Sequence, residues 1–186
     1  MAAPNRTSYA ILGLLAGGPK SGYAIRQVVE QTLRHFWKES FGHIYPTLSK
    51  LAAAGLIAPE AEAPVGRTDQ RRYRITPQGR EELDRWLAAE LEPEGVRNEL
   101  ALKLYFGRHA PLAVSRAHLA AHKAHYAALL AQYTEERNKL EARAAVGDVD
   151  ATFMLITLDL GEHIARARIT WCNAALERLR GMKDEG

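Results

Sequence analysis

The stretch SFGHIYPTLSKLAAAGLI, residues 40–57, has the pattern of an amphipathic helix with a proline inside it. Ile44, Leu48, Leu51 and Gly55 fall on one side at helical spacing, and Gly42, Pro46, Ser49 and Ala53 fall on the other. A helix facing water normally shows it long charged side chains. A row of small residues around a proline instead leaves room for another surface to come close. Pro46 removes one intrahelical N–H, which would bond to the carbonyl of Gly42. Near the first turns that loss costs little, so the helix is expected to persist through Pro46. Ser40 is its expected cap and Gly55 its left-handed stop.

Upstream, Thr7 or Ser8 is expected to cap a first helix running to about Ala16, which AGGPKSG then stops. Ser21 caps a second helix with Ala24, Ile25, Val28, Val29 and Leu33 as its apolar stripe. Downstream, residues 56–58 and 72–75 are short apolar or β-prone segments flanking a polar loop that holds Pro59, Pro64 and Gly66, a hairpin pattern. Thr76-Pro77 then opens a further helix to about Leu91.

Three helices, a hairpin and a return helix make a winged helix-turn-helix. In that module the third helix enters the major groove, where an α-helix fits. The small face can therefore lie against DNA. His43 and Lys50 flank it, and Tyr45 can send its hydroxyl to a phosphate while its ring packs inward. The wing tip holds Arg67, Arg71, Arg72 and Arg74 against only Asp69, and strand alternation turns part of this set outward. The candidate DNA contacts are thus Ser40, Gly42, His43, Tyr45, Pro46, Ser49 and Lys50 on the helix and Arg67, Arg71 and Arg72 on the wing.

Charge divides along the chain in the same sense. Through Arg80 there are 11 Lys/Arg against 5 Asp/Glu, net +6, and from Glu81 onward 14 against 17, net −3. A basic first half suits a polyanion partner. The chain has 186 residues, enough for one generous domain or two small ones, and EPEG at 92–95 is the expected boundary. The expected division is a winged helix-turn-helix domain over residues 1–91 and a C-terminal helical domain over 96–186, in a mainly α chain. There is no run of about 18 apolar residues to span a membrane. The apolar stretch at 9–16 is short, interrupted by Gly13, and reads as a core helix of a cytoplasmic protein. One cysteine, Cys172, fits a reducing compartment.

In the second half, VRNELALKLYFG at 96–107 is a compact amphipathic helix. From Pro111 onward Leu112, Leu119, Tyr126, Tyr133 and Leu140 recur every seven residues, the pattern of a long helix packed along another. Ser115, His122 and Glu136 interrupt the second seam position, so the contact is intermittent. Asp148 is a candidate cap for the last helix. That helix carries two apolar stripes: Phe153, Ile156, Leu160, Ile164, Ala167 and Trp171, and Leu155, Leu158, Ile169, Cys172, Leu176 and Leu179. One can face its own chain and the other a second copy, as in a dimerisation surface.

YAILGLLAGGPKSGYAI (9–25), GHIYPTLSKLAAAGLI (42–57) and RRYRITPQGREELDRWL (71–87) together resemble the PadR family of bacterial transcriptional regulators. VRNELALKLYFG resembles the opening of the virulence-activator-like C-terminal domain of its larger members. The resemblance implies a dimeric winged-helix repressor, less often an activator, on a palindromic operator, with release by a small molecule in some members. It matches Tyr45 to the tyrosine of the family's I-Y-P motif, and Gly66-Arg67 with Arg72 and Tyr73 to its wing. Ala24 stands where many relatives have an acidic residue.

Other readings of particular residues stay open beside this one. His118, His122 and His125 share a helix face at i, i+4 and i+7. With Glu162 or His163 they form a candidate metal site and hence a metal-responsive regulator. Tyr105, Tyr126 and Trp171 are candidate effector-binding residues, with helix-packing core as the plainer account. A winged helix used for protein contact alone is a further alternative. Catalysis is not expected: Cys172 and His163 lie about 180° apart on one helix, and no phosphate-cradling or hydrolase motif occurs. No motif calls for a cofactor.

Overall fold

The structure, a computed structural model, describes residues 4–30, 44–60, 71–91 and 98–182. The chain forms two compact units, residues 1–93 and 94–186. The first contains α1 (Arg6–Ala16), β1 (Lys20–Ser21), α2 (Gly22–Val28), α3 (Ile44–Ala53), β2 (Ile57–Pro59), β3 (Arg72–Ile75) and α4 (Pro77–Leu87). The second contains α5 (Glu99–Tyr105), α6 (Leu112–Ala145) and α7 (Val149–Arg180), with a short 3-10 turn at Gly107–His109.

Asn5 caps α1, its side-chain oxygen accepting from the Ser8 N–H at 2.9 Å. This corrects the expectation of Thr7 or Ser8, both of which are buried inside the first turn. Asn caps as well as Ser does, and placing the cap at Asn5 lets both hydroxyl residues pack inward. Ser21 caps α2 as expected, accepting from Ala24 N–H at 3.2 Å. Gly55, at φ +72°, stops α3 in the left-handed region. Thr76 performs two tasks: its hydroxyl oxygen accepts from Gly79 N–H at 3.0 Å and donates to the Gly55 carbonyl at 2.7 Å. The α4 cap is thereby tied to the end of α3. The return helix ends at Leu87, short of the expected Leu91, which is 97% exposed; without a buried face the pattern cannot extend it.

The sheet has the order β1-β3-β2, antiparallel throughout, with Ile57 opposite Ile75 and Lys20 opposite Tyr73. The hairpin β2–β3 is the expected wing base. β1 was not expected, because two residues show no alternation to read. Tyr73 and Ile75 turn inward onto a core of Ile11, Leu12, Leu15, Ile25, Ile44, Leu48, Leu51 and Leu83. Each such side chain, fully buried, contributes about 1.5–3 kcal/mol.

In the second unit α6 and α7 form an antiparallel hairpin: Arg116, early in α6, donates to the Leu179 carbonyl near the end of α7 at 2.7 Å. The turn uses Gly147 at φ +88°, and Asp148 caps α7 by accepting from Ala151 N–H at 3.0 Å. Of the heptad row, Leu119, Tyr133 and Leu140 are buried and Leu112 and Tyr126 half-buried. They meet Ala151, Leu158, Gly161, Ala165 and Cys172 on α7. Gly161 faces Tyr133 so closely that a Cβ there would stand 3.2 Å from the ring.

One charged cluster crosses this seam. Arg137 on α6 bonds Glu162 at 2.9 Å and also Asp159, and the buried Glu162 takes a second bond from Arg166 at 2.7 Å. The Arg137 hydrogen bond, reinforced by Arg166, holds the Glu162 carboxyl below the ordinary carboxylate range, although burial opposes it. Its ionised form therefore stabilises the fold in full above the unfolded pKa of about 4.3. That contribution is lost as pH falls through the depressed folded value. Glu162→Gln is expected to cost about 1–3 kcal/mol at pH 7, with the gap to wild type shrinking in urea melts at pH 3. A gap unchanged by pH would rule out the ionised pair as its source.

The remaining face of α7 bears the other stripe. Phe153, Ile156 and Leu160 are 66%, 59% and 54% exposed, and Ile164 and Trp171 continue the row. Among the described residues no helix is long and apolar enough to cross a membrane.

Candidate nucleic-acid interface

Among the described residues α3 is helical from Ile44 through Tyr45 and Pro46. Ile44, Thr47, Leu48 and Leu51 are buried, while Tyr45, Pro46, Ser49, Lys50 and Ala53 form one exposed face. Among the described residues, burial of the first set leaves this face for a partner. Lys50 stands in the last turn, where the helix dipole favours a cation. The Ser49 hydroxyl donates to the Tyr45 carbonyl at 3.2 Å. Its proton is committed to the helix, so Ser49 supplies closeness of approach rather than a donor.

Tyr45 is 41% exposed, and its ring lies on Gly22, the first residue of α2. A Cβ at Gly22 would stand 2.7 Å from a Tyr45 ring carbon and 3.2 Å from the Leu48 side chain. The absent side chain is thus the seat of the ring, and it sets where the Tyr45 hydroxyl emerges. Sequence reading did not assign this role to Gly22, whose only signal was a glycine at the start of a helix. Gly22→Ala is expected to cost about 1–3 kcal/mol by overpacking and to displace Tyr45. Paired thermal melts and DNA-shift assays check it: a folded variant with unaltered DNA affinity would mean that the ring position is immaterial.

In the same unit the strand β3 carries Arg72 and Arg74 on its outer face, with Arg71 exposed just before it. Arg72 donates to the Pro19 carbonyl at 2.9 Å and pairs with Glu60 at 3.3 Å. It braces the sheet, leaving Arg71 and Arg74 as the more available cations of this strand. Ser40, Gly42, His43 and Arg67 lie outside the described residues, as does the EPEG boundary.

The metal candidates are brought partly together. His118, His122 and His125 line one cavity with Tyr126, but Glu162 is engaged with Arg137 and Arg166. His163 bonds the Asp159 carbonyl of its own helix. Among the described residues no group of three or more His, Cys, Asp or Glu is placed to hold a metal ion. Of the effector candidates, the rings of Tyr126 and Trp171 both contact that of His122, with centroids 4.8 and 6.3 Å away. Tyr105 is exposed and packs edge-on against Phe106 instead. Cys172 is fully buried, and burial pushes its thiol pKa up, so it is a core residue rather than a nucleophile.

Both halves of the chain match known protein families. Residues 11–85 match the transcriptional regulator PadR-like family, and residues 96–180 match the virulence activator alpha C-terminal domain. The negative transcriptional regulator PadR of Bacillus subtilis is 38% identical over 99 residues, covering 53% of this chain and 54% of that protein. The match thus spans about half the length of that relative. A PadR-like regulator from Bacillus cereus superposes with a TM-score of 0.80 at 28% identity, over 96% of this chain and 100% of its own. Bacillus subtilis PadR in complex with operator DNA gives 0.79 at 27% identity, over 94% and 99%. The same protein in complex with p-coumaric acid gives 0.75 at 28%, over 93% and 98%. With both halves matched in order, the chain belongs to the PadR-like family of transcriptional regulators, a non-enzymatic family, and carries a virulence-activator-type C-terminal half.

Proposed function

We infer that the protein is a homodimeric repressor that binds a palindromic operator and is released by a small organic ligand. The observation that carries this is the exposed small face of α3, with Tyr45 at its edge and Lys50 at its end, in the same unit as the cationic strand β3. A helix with that face fits the major groove, while the exposed Arg71 and Arg74 are placed to meet the backbone. The exposed stripe of α7 supports the dimer, since an isologous contact places two recognition helices on two half-sites. That a relative binds operator DNA, and also p-coumaric acid, supports operator reading and ligand release.

Tyr45→Phe removes only the hydroxyl and is expected to weaken operator binding by about 1 kcal/mol, or fivefold. Arg67→Ala removes a wing cation and should also lower the salt slope of binding by about one. Selection of bound sequences from a random pool, followed by shift assays on the recovered site, tests both. Failure to enrich any sequence would discard the operator reading, and unchanged affinity in both variants would discard this placement of the contacts.

A further inference from the structure

Arg72 stands on the middle strand of the sheet, with β1 on one side and β2 on the other. Its guanidinium reaches both edges. Nη2 donates to the carbonyl of Pro19, the residue before β1, at 2.9 Å. Nε meets a carboxylate oxygen of Glu60, the residue after β2, at 3.3 Å. The backbone repeats the second tie, since the Glu60 N–H donates to the Arg72 carbonyl at 3.0 Å. Glu60 and Arg72 thus clasp the hairpin at the end where the chain leaves β2 and re-enters β3. A rigid planar fork suits this task, because its N–H groups point in fixed directions and lose little freedom on bonding. Arg71 and Arg74 have no such ties among the described residues.

Glu60 separates two roles for this end of the sheet. A carboxylate beside a DNA-binding loop is repelled by phosphate, so a bystander there lowers affinity. A carboxylate that holds the two ends of the loop in place raises it instead, because a pre-ordered contact surface gives up less freedom on binding. The two effects have opposite signs.

We propose that Glu60 and Arg72 are positioning residues for DNA binding, holding the wing by its base, and that Arg72 acts through the sheet rather than on the phosphates. This rests on the DNA-binding reading, and one set of assays separates the two.

Shift assays use the full chain and the duplex recovered by selection. Glu60→Ala is expected to weaken binding about threefold, on the scale of an exposed ion pair, although it removes a negative charge. Arg72→Gln should weaken binding to a similar degree, and the double variant no further, since both break one clasp. The slope of log affinity against log salt should keep its wild-type value in Arg72→Gln, whereas loss of a phosphate contact lowers it by about one. The two side chains are 55% and 34% exposed, so both variants should fold, which thermal melts check. Either folded variant alone decides the matter. Glu60→Ala binding as tightly as wild type or tighter, or a slope lower by one in Arg72→Gln, overturns the proposal and leaves DNA binding intact. A wild-type chain that retards no duplex overturns both.

Discussion

A chain carrying Ile156→Asp and Leu160→Asp is expected to behave as a monomer and to lose operator affinity by at least a hundredfold. The two residues sit in the middle of the exposed stripe of α7, which extends from Phe153 to Trp171, about 27 Å at 1.5 Å per residue. A row of large apolar side chains of this length is more than scattered surface hydrophobicity. Burying each contributes about 1.5–3 kcal/mol. Two aspartates would remove that and put unpaired carboxylates at the centre of the contact, where desolvation is costly. The loss of DNA affinity follows because a monomer engages one half-site and forgoes the effective concentration of the second. The opposite side of α7 packs on α6 through Ala151, Leu158, Ala165 and Cys172, so helicity should survive. Light scattering beside circular dichroism decides the matter. A folded dimer persisting at micromolar concentration would show that another surface joins the copies.

Gly79→Ala is expected to abolish folding of the N-terminal unit. Gly79 is buried in the first turn of α4, and a Cβ there would stand 2.0 Å from the carbonyl oxygen of Leu56 and 2.9 Å from its carbon. These are backbone atoms and cannot swing aside. Leu56 is itself held from both directions, its N–H bonding Leu51 at 3.0 Å and its carbonyl accepting from Thr76 N–H at 3.1 Å. Relief requires α4 to move away from the end of α3, which would break the Thr76 cap and expose Leu83. The expected cost exceeds about 4 kcal/mol, at the severe end for single substitutions. Limited proteolysis and thermal melting of the full chain check it. Cleavage confined to the first unit is the expected pattern, and a wild-type melting profile would contradict the packing.

Much of this was readable from local pattern. Ser21, Thr76 and Asp148 could be recognised as caps because a cap and its N–H partners lie within three residues of one another. The amphipathic run at residues 44–53 and the left-handed Gly55 were legible for the same reason. β1 was not, since a two-residue strand exists only through its pairing with β3, some fifty residues away. Nor was the brace from Arg72 to Pro19 and Glu60, which turns one of four apparently equivalent wing arginines back onto the sheet. The grouping of His118, His122 and His125 on one helix face was legible.

α7 shows where the division lies. Its sequence alone determined a long helix with two apolar stripes, because helical period depends only on which residues recur at three and four. Both stripes are apolar enough to be core, so composition did not say which one turns toward α6. The tertiary structure decided it through contacts that need the other helix: Gly161 admits the Tyr133 ring, and Arg137 bonds Asp159 and Glu162. Those contacts set the rotation of α7 about its axis, and that rotation leaves Phe153, Ile156 and Leu160 facing outward.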